Sequence, residues 1–484
     1  MGNHTMFQFF EWNLKNSGDL WKVLKDRGSD LAEVGITAVW IPPAYKAINQ
    51  EDVGYATYDL FDLGEFTQKG TRRTKYGTKK ELKSAVKELH KHKVQVYLDA
   101  VLNHKAGADG TEKLMAVEVD EENRQEEISE PYEIKAWTKF LFPGRGNKYS
   151  PFKWSFIHFT GTDIDTNTGK NAIFKILGEN KDWSNEVNDE FGNYDYLMFA
   201  DIDYDHPEVY NEIIHWGSWV VKELDLDGFR LDAIKHIKAS FIKDFLDKVK
   251  ESTGKEDLYA VGEYWVNDID SLQNYLETLD HSLDLFDVTL HFNFHEASNC
   301  GKEYDLSSIF QGTLVEVNPM HAVTFVDNHD SQPGQALESW VEDWFKPLAY
   351  GMILLRKDGY PCIFYGDYYG IGGEEPIGGK KELLDKLLYL RKNYTYGDQV
   401  DYLDHPNVIG WVRNGDEEFE NSGAAVLISN GEDGEKLMDV GVERNGEVWI
   451  DYLGNIPEEV TIGEDGSALF KVKGNSISVW IKKS

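Results

Sequence analysis

The 484-residue chain is long enough for about three domains of roughly 150 residues each, and its balance of 41% hydrophobic and 28% charged residues excludes a disordered or collagen-like protein. Acidic residues outnumber basic residues by 85 to 50, and the resulting formal net charge of −35 repels nucleic-acid phosphates and anionic lipids. We therefore expect neither nucleic acid nor a membrane as a partner, and the chain has no run of about 18 apolar residues that could cross a bilayer.

The cysteine content and the first residues bear on where the protein works. Cys300 and Cys362 are the only cysteines, which excludes a disulfide framework. The N-terminal segment lacks the basic region and the longer apolar stretch of a secretory signal peptide. We expect a cytoplasmic protein, or a secreted one if a signal has been removed.

Short apolar, β-branched runs alternate with longer amphipathic segments through most of the chain. The predicted strands are residues 6–10, 36–41, 94–99, 228–232, 259–263, 286–290, 323–327 and 360–364. The segments with helical periodicity include residues 20–34, 79–92, 208–224 and 239–251. Eight strands, each followed by a helix, predict an α/β fold built on a parallel (β/α)₈ TIM barrel.

The spacing of the strand ends predicts a domain inserted into the barrel. Asp232 and Glu263 are 31 residues apart, close to the roughly 30 residues of one βα unit, whereas 133 residues separate Asp99 from Asp232. We therefore expect a barrel of residues 1–103 and 206–396, with an inserted domain of residues 104–205 after the third strand.

Two further segments have a distinct composition. From residue 397 to 484, short alternating strands are separated by turn signals such as Asn430-Gly431, which predicts a C-terminal antiparallel β domain. Residues 118–133 contain eight acids and a single base, Arg124, and we expect this run to be a solvated loop.

Ionisable residues end five of the predicted strands, and the carboxyl ends of the strands form the active face of such a barrel. The five endings are DAVLNH at 99–104, GFRLD at 228–232, VGE at 261–263, FVDNHD at 325–330 and FYGD at 364–367. A structural ion pair is sufficient to explain any one of them. Burying so many charges at one rim costs free energy unless they pair or take part in chemistry, so together they indicate an active site.

Several carboxylates without a cysteine or serine nucleophile suit the cleavage of an acetal. One carboxylate attacks the anomeric carbon and a protonated carboxyl group gives its proton to the leaving oxygen. A third acid nearby raises the pKa of the proton donor. Arg230 lies two residues before Asp232, on the same strand face, and could keep it ionised. Trp12, Tyr55 and Trp265 lie beside the predicted rim, where aromatic rings can stack on sugars.

Five segments resemble the signature regions of the α-amylases of glycoside hydrolase family 13, especially the liquefying and intracellular bacterial enzymes. They are DAVLNHKAGAD at 99–109, LMFADIDYDHP at 197–207, DGFRLDAIKH at 227–236, VGEYW at 261–265 and FVDNHD at 325–330. The resemblance runs from Gln8 nearly to the C-terminus. It implies a catalytic barrel, an inserted domain after strand 3 and a C-terminal antiparallel β-sandwich.

The same resemblance implies roles for individual residues. Asp232 corresponds to the nucleophile, Glu263 to the general acid/base and Asp330 to the transition-state stabiliser, with retention of anomeric configuration. The residues implied to contact the sugar at the cleavage point or on the leaving-group side, together with the aromatic residues of the rim, are Tyr55, Asp99, His104, Arg230, His329, Lys235, His236, Trp12 and Trp265.

The resemblance also implies one Ca²⁺ between the inserted domain and the barrel. Its ligands would be Asn103, Asp195, Asp201 and the backbone carbonyl of His236. Residues 201–205 alternate carboxylates as a calcium loop does, but His206 stands where an EF-hand requires glycine, so an EF-hand is excluded.

Further cation sites of the secreted relatives are expected to be absent. Thr160 and Ser184 stand where those relatives carry acids for a calcium–sodium–calcium cluster. Asn407 and Asn430 stand where a third calcium site would need acids. We expect one calcium per chain.

The expected partner is an α-glucan polysaccharide or maltooligosaccharide, namely starch, glycogen or a maltodextrin, and the expected oligomeric state is a monomer. Two alternatives remain at this stage. The same machinery could pass the glycosyl group to another sugar, as an α-glucanotransferase does. A catalytically inactive glucan-binding relative would be marked by loss of a catalytic acid, and all three acids are present.

Overall fold

The computed structural model describes residues 3–483 and contains a closed barrel of eight parallel strands. The barrel strands are β1 (Met6–Gln8), β2 (Ala38–Ile41), β3 (Gln95–Ala100), β4 (Gly228–Leu231), β5 (Tyr259–Gly262), β6 (Asp284–Phe286), β7 (Ala322–Phe325) and β8 (Tyr360–Phe364). Each strand pairs with its neighbour in the chain, and β1 closes the barrel against β8, with Met6 opposite Cys362. The predicted barrel is confirmed.

Helices surround this barrel. They are α1 (Leu20–Val34), α2 (Lys79–Lys91), α3 (Pro207–Leu224), α4 (Ala239–Thr253), α5 (Ile269–Thr278), α6 (Val288–Cys300), α7 (Leu314–Val317), α8 (Lys346–Leu355), α9 (Tyr365–Tyr369) and α10 (Lys381–Asn393). Short 3₁₀ helices span Phe156–His158, Glu190–Gly192, Ile234–His236, Gly301–Glu303, Leu306–Ser308, Pro319–His321 and Val442–Arg444. Within residues 3–483, no helix combines the length and the apolar character that crossing a bilayer would require.

The predicted strand over residues 286–290 was wrong in its bounds, because β6 ends at Phe286 and α6 begins at Val288. Asp287 separates the two elements, since its carboxylate accepts hydrogen bonds from the backbone N–H of Leu290 and of Val315. The residues after Asp287 are apolar or β-branched, so a short buried helix and a buried strand have the same pattern here.

A six-stranded antiparallel sheet lies between β3 and α3 in the chain. In sheet order its strands are His104–Lys105, Ala200–Ile202, Phe159–Asp165, Lys170–Ile176, Gly110–Val119 and Tyr132–Lys139. The acidic run at 118–133 reaches into two of these strands, so the expectation of one solvated loop was only partly right. Its single base, Arg124, is buried and lies 4.2 Å from the ring centroid of Tyr194.

The chain beyond α10 forms the antiparallel β-sandwich that the sequence predicts. One sheet contains, in order, Gln399–Tyr402, Val408–Arg413, Ala424–Ser429, Ser476–Lys482, Val448–Asp451 and Val460–Thr461, and the other contains Gly434–Asp439 and Ser467–Val472. Short strand pairs at Lys46–Ala47 with Thr57–Asp59 and at Gly370–Ile371 with Ile377–Gly378 complete the strands.

One face of the sandwich, which includes Ile409, Val426 and Ile477, packs into the apolar core of the barrel, while the sandwich keeps a separate core of its own. Every residue of α8 except Pro347 is buried. A β-carbon at Gly351 of this helix would lie 2.2 Å from Cδ1 of Ile477, so helix and sandwich pack without a gap. The side chains of Arg356 and Asp401 add a two-pronged ion pair, with N···O distances of 2.7 and 2.9 Å.

Candidate active site

Three acids meet where β4, β5 and β7 end. Asp232 directly follows β4, Glu263 directly follows β5, and Asp330 lies in the loop after β7. Ala233 adopts a left-handed conformation, with φ of 48°, and its N–H donates to Oε2 of Glu263 at 3.1 Å. The chain therefore turns sharply after Asp232 and ties that turn to Glu263.

The guanidinium of Arg230 lies at the centre of this group and is fully buried. Its Nη1 donates to Asp232 Oδ1 at 2.6 Å and to Asp99 Oδ1 at 2.9 Å. Its Nη2 lies 2.9 Å from Glu263 Oε1, but the pair is not aligned as a hydrogen bond, and this oxygen has no hydrogen-bond partner within the described chain. Glu263 therefore has an oxygen available for a ligand.

Burial raises the pKa of all three acids, and their charges interact. Burial raises the pKa of Asp232 to about 6; the positive charge of Arg230 opposes this shift, and the negative charge of Asp99 adds to it. The pKa of Glu263 is also raised by burial, with Arg230 opposing and Asp232 adding to the shift. Burial and the charge of Glu263 raise the pKa of Asp330 well above its ordinary value. One ionised carboxylate beside protonated carboxyl groups is the state such a site favours.

Aromatic rings form one wall beside the acids. The rings of Trp12, Tyr55 and His329 are nearly parallel, and their centroids lie 5.0 Å apart for Tyr55 and His329, 5.8 Å for Trp12 and Tyr55, and 5.9 Å for Trp12 and His329. His329 is fully buried, and its Nε2 lies 3.2 Å from Asp330 Oδ2. The wall is flat and borders Asp330, as stacking on a sugar ring requires.

Asp99 lies behind this wall and has no exposed surface. Its carboxylate accepts hydrogen bonds from Tyr55 Oη at 2.7 Å, Trp40 Nε1 at 3.0 Å and Arg230. Although the resemblance implies a sugar contact for Asp99, its oxygens hold the residues that line the cleft.

His104 contributes an acceptor. Its Nε2 donates to the backbone carbonyl of Tyr55 at 2.8 Å, and its buried Nδ1 has no hydrogen-bond partner within residues 3–483. Burial lowers the pKa of His104 to about 4, so the ring is neutral and Nδ1 carries a lone pair.

Lys235 and His236 lie on the side of Glu263 that faces the inserted sheet. Lys235 Nζ lies 3.0 Å from Glu190 Oε2 and 3.3 Å from the carbonyl of Trp265. His236 Nδ1 donates to the carbonyl of Tyr194 at 2.7 Å, and burial lowers the pKa of this histidine to about 3. Trp265 is half-buried, and its ring packs against that of His291.

Two residues that support the site were not predicted from the sequence. Gln8 ends β1, is buried, and its Nε2 lies 2.9 Å from His329 Nδ1. Trp40 from β2 packs its ring edge-on to that of His329. Gln8 could have been identified as a polar residue at the end of a buried strand. Trp40 could not, because its sequence context is that of any aromatic residue in the core.

Of the residues implied as calcium ligands, Asn103 follows β3, and Asp195 and Asp201 belong to the inserted segment. Asn103 Nδ2 lies 3.4 Å from Asp201 Oδ1, and the backbone N–H of Ser184 donates to Asp195 Oδ2 at 3.0 Å. Burial, with repulsion from Asp203 and Asp205, raises the pKa of Asp195 to about 7; burial and the charge of Asp195 raise the pKa of Asp201 well above its ordinary value. Two buried carboxylates and the side-chain amide of Asn103 offer the oxygen ligands that a hard cation prefers.

The neighbouring acids have basic partners instead. Lys181 Nζ lies 2.8 Å from Asp203 Oδ2 and donates to the carbonyl of Phe159 at 2.8 Å. Lys238 pairs with Asp205. These ammonium groups neutralise the charges of Asp203 and Asp205.

At the position of the third site, amides replace carboxylates. Asn407 Nδ2 donates to Asn430 Oδ1 at 3.0 Å, and Asn430 Nδ2 donates to the carbonyls of Gly301 and Tyr304, both at 2.9 Å. The barrel and the sandwich are therefore joined here by direct hydrogen bonds.

His158, His206 and Glu208 bring their ligand atoms within 4.8 Å of one another. The Nδ1 atoms of the two histidines accept backbone N–H groups, from Ser155 at 3.0 Å and from Glu208 at 3.3 Å. With Nδ1 accepting, the proton of a neutral imidazole lies on Nε2, whereas a histidine that binds a metal through Nε2 needs its proton on Nδ1. The trio does not fit a metal.

Comparison with known proteins gives the family. Residues 8–401 match the family model described as the alpha amylase catalytic domain, and residues 425–481 match the alpha-amylase C-terminal model. An alpha-amylase of Bacillus licheniformis is 54% identical over 99% of this chain and 94% of its own length. A glucan 1,4-alpha-maltohexaosidase of Bacillus sp. strain 707 is 53% identical, over 99% and 93%. A cytoplasmic alpha-amylase of Escherichia coli K12 is 44% identical over 99% of each chain.

Solved structures agree on the fold. An alpha-amylase of Geobacillus thermoleovorans, complexed with acarbose, superposes with a TM-score of 0.65 at 19% identity and covers 100% of this chain and 98% of its own. The resemblance read from the sequence motifs is confirmed, and the chain belongs to the alpha-amylase family, glycoside hydrolase family 13.

Proposed function

We propose that this protein is a retaining α-amylase that hydrolyses internal α-1,4-glucosidic bonds in starch, glycogen or maltodextrins. Relatives at 53–54% identity, which carry the names of an alpha-amylase and a maltohexaosidase, support the substrate class. The observation that carries the proposal is the buried guanidinium of Arg230, which contacts both Asp232 and Glu263 while Asp330 lies beside them.

Asp232 acts as the nucleophile and Glu263 as the acid and base. The Asp232 carboxylate attacks the anomeric carbon, and Glu263 gives its proton to the glycosidic oxygen, which leaves with the reducing-end fragment. Glu263 then removes a proton from water, and the water oxygen attacks the same carbon and releases Asp232. Asp330 stabilises the positive charge that develops on the sugar in both transition states. Two displacements retain the configuration.

The surrounding residues orient the substrate. Tyr55 stacks on the sugar at the cleavage point, and His104 and His329 bond to its hydroxyl groups. Lys235 and His236 contact the leaving-group side, and Trp12 and Trp265 extend the aromatic surface of the cleft. Asp99 acts through the hydrogen bonds by which it positions Arg230 and Tyr55.

One calcium ion completes the protein in this proposal. The side chains of Asn103, Asp195 and Asp201 and the carbonyl of His236 hold it, and the ion supplies positive charge that joins the inserted sheet to the barrel. We also propose that the protein works in the cytoplasm, as the name of its Escherichia coli relative suggests, and that it is a monomer.

The test is an assay of reducing-end release from soluble starch. The native protein is expected to release reducing ends, and Glu263→Gln is expected to lower kcat by about 10²- to 10⁴-fold, since it removes the proton donor. Glu212→Gln on α3, a half-buried glutamate whose pKa is also raised by burial, is the control and keeps activity. A Glu263→Gln variant with native activity contradicts the proposal.

The products test the reaction type. NMR of the first products is expected to show the α-anomer, as retention requires. Incubation with maltotriose is expected to yield shorter sugars, and products longer than maltotriose would indicate glucanotransfer in place of hydrolysis.

A further inference from the structure

Gln8 places a side-chain amide beneath the catalytic cleft. It is the last residue of β1, between Trp40 on β2 and Phe364 on β8, and only 1% of its surface is exposed. Its Nε2 lies 2.9 Å from Nδ1 of His329. Gln8 can therefore influence the reaction through His329.

Aromatic contacts fix the orientation of the His329 ring. The rings of Tyr55 and Trp12 are nearly parallel to it, at interplanar angles of 13° and 12°. The rings of Phe10 and Trp40 pack against it at centroid distances of 4.9 and 5.7 Å. Nδ1 therefore stays directed at Gln8 and Nε2 at Asp330.

The amide determines which nitrogen of His329 carries the proton. Burial and the positive charge of Arg230 lower the pKa of His329 well below its ordinary value, so the ring is neutral and has a single N–H. In the structure Gln8 directs its amide nitrogen, which only donates, at Nδ1; with the amide in this orientation Nδ1 accepts and the proton lies on Nε2. Nε2 is buried, lacks a hydrogen-bond partner within the described chain and lies 3.2 Å from Asp330 Oδ2.

We propose that Gln8 is a positioning residue, whose amide holds His329 in the tautomer that presents an Nε2–H donor to the sugar beside Asp330. The inference rests on the proposed function, in which His329 bonds to the sugar. In the other tautomer, a lone pair on Nε2 would face the Asp330 carboxyl group, and the sugar hydroxyl would lose its donor.

The decisive variant is Gln8→Glu, which has the same shape and reverses the hydrogen bond. A carboxylate accepts, so the proton of the neutral ring moves to Nδ1 and the donor on Nε2 is lost. We expect kcat to fall by about 10²-fold near neutral pH, as for loss of one preorganised donor, with a smaller change in KM.

The pH profile separates this role from packing. In Gln8→Glu the charged groups facing His329 are the new carboxylate, Asp330 and Arg230. The new carboxylate raises the pKa of His329, and at low pH the doubly protonated ring regains its Nε2–H. Activity relative to the native protein is therefore expected to recover as the pH falls. Gln8→Met, which neither donates nor accepts, is expected to lose about threefold to tenfold at every pH.

Nitrogen-15 NMR of histidine-labelled protein reads the tautomer directly, without an activity measurement. The His329 signals, identified by their loss in His329→Asn, are expected to show an unprotonated Nδ1 in the native protein and a protonated Nδ1 in Gln8→Glu. Thr324→Val, at a buried position of β7, is the control and changes neither tautomer nor pH profile.

A protonated Nδ1 in the native protein would overturn the inference, and so would a Gln8→Glu variant whose activity falls equally at every pH. Failure of the proposed function would give a different result: the native protein would be inactive on starch, while NMR would still show the proton of His329 on Nε2.

Discussion

Arg230 and Asp99 act on Asp232 in opposite directions, and this balance sets a limit on activity. The guanidinium favours the ionised nucleophile, whereas burial and the second carboxylate disfavour it, and the net effect raises the pKa of Asp232 to about 6. The nucleophile is active only when deprotonated. We expect kcat/KM to fall about tenfold for each pH unit below about 6. This acid limb of the pH profile is measured with a soluble maltooligosaccharide as the substrate.

Removing the neighbouring charge tests the origin of this limb. Asp99→Asn eliminates the repulsion, lowers the pKa of Asp232 and is expected to shift the acid limb to lower pH, even if kcat itself falls. Asp284→Asn, at the opposite end of the barrel on β6, is the control and leaves the limb in place. An unchanged limb in Asp99→Asn would show that another group controls it.

The residues of the site differ in how far the sequence could identify them. Asp232, Glu263 and Asp330 follow apolar strands, and strand ends in a barrel converge by geometry. Gln8 could not be assigned, because its function depends on a contact with His329, 321 positions away in the chain. Arg124 was placed in a solvated loop, since a local pattern of acids cannot reveal that one base folds back over Tyr194.

Among the elements, the barrel strands were predictable and the inserted sheet was not. In the barrel, short apolar strand segments alternate along the chain with amphipathic helical segments, and each strand pairs with its neighbours in the chain. In the inserted sheet, the strand at His104–Lys105 pairs with the one at Ala200–Ile202, and no local pattern specifies so distant a partner. The shortened β6 has a local cause, the cap that Asp287 provides, which hydrophobic periodicity does not register.

The inserted sheet depends on a buried ion pair at its edge. The side chains of Lys181 and Asp203 are 6% and 8% exposed. Lys181→Met leaves the aspartate charge uncompensated, and we expect a loss of about 3–5 kcal/mol in stability, since one partner of a buried pair is removed. Thermal or denaturant unfolding at a fixed calcium concentration measures this loss in the free energy of unfolding.

The matched control is Lys113→Met, whose partner Glu133 lies on the neighbouring strand of the same sheet. Both side chains are more than half exposed, at 69% and 52%, so the change is expected to stay below about 1 kcal/mol. Equal effects of the two variants would contradict a special contribution from Lys181.

At the scale of the whole molecule, calcium stoichiometry tests how the three regions are joined. Elemental analysis of dialysed protein is expected to find one calcium per chain, and a chelator is expected to lower the unfolding temperature, because the ion binds only the folded state. Asp201→Asn is expected to abolish binding, whereas Asp205→Asn, which disrupts only the pair with Lys238, keeps one ion. Three ions per chain would contradict the assignment.

The continuous packing of α8 against the sandwich limits how this protein can be engineered. Because Gly351 and Ile477 interlock without space for a methyl group, the sandwich serves as the outer wall of the last barrel helices. A catalytic fragment that ends after α10 would lack the sandwich, so α8 would be exposed to water and the fragment would aggregate. A foreign C-terminal module would have to reproduce the sandwich surface that packs against α8. Shortened or chimeric versions therefore require redesign of α8 before the junction is moved.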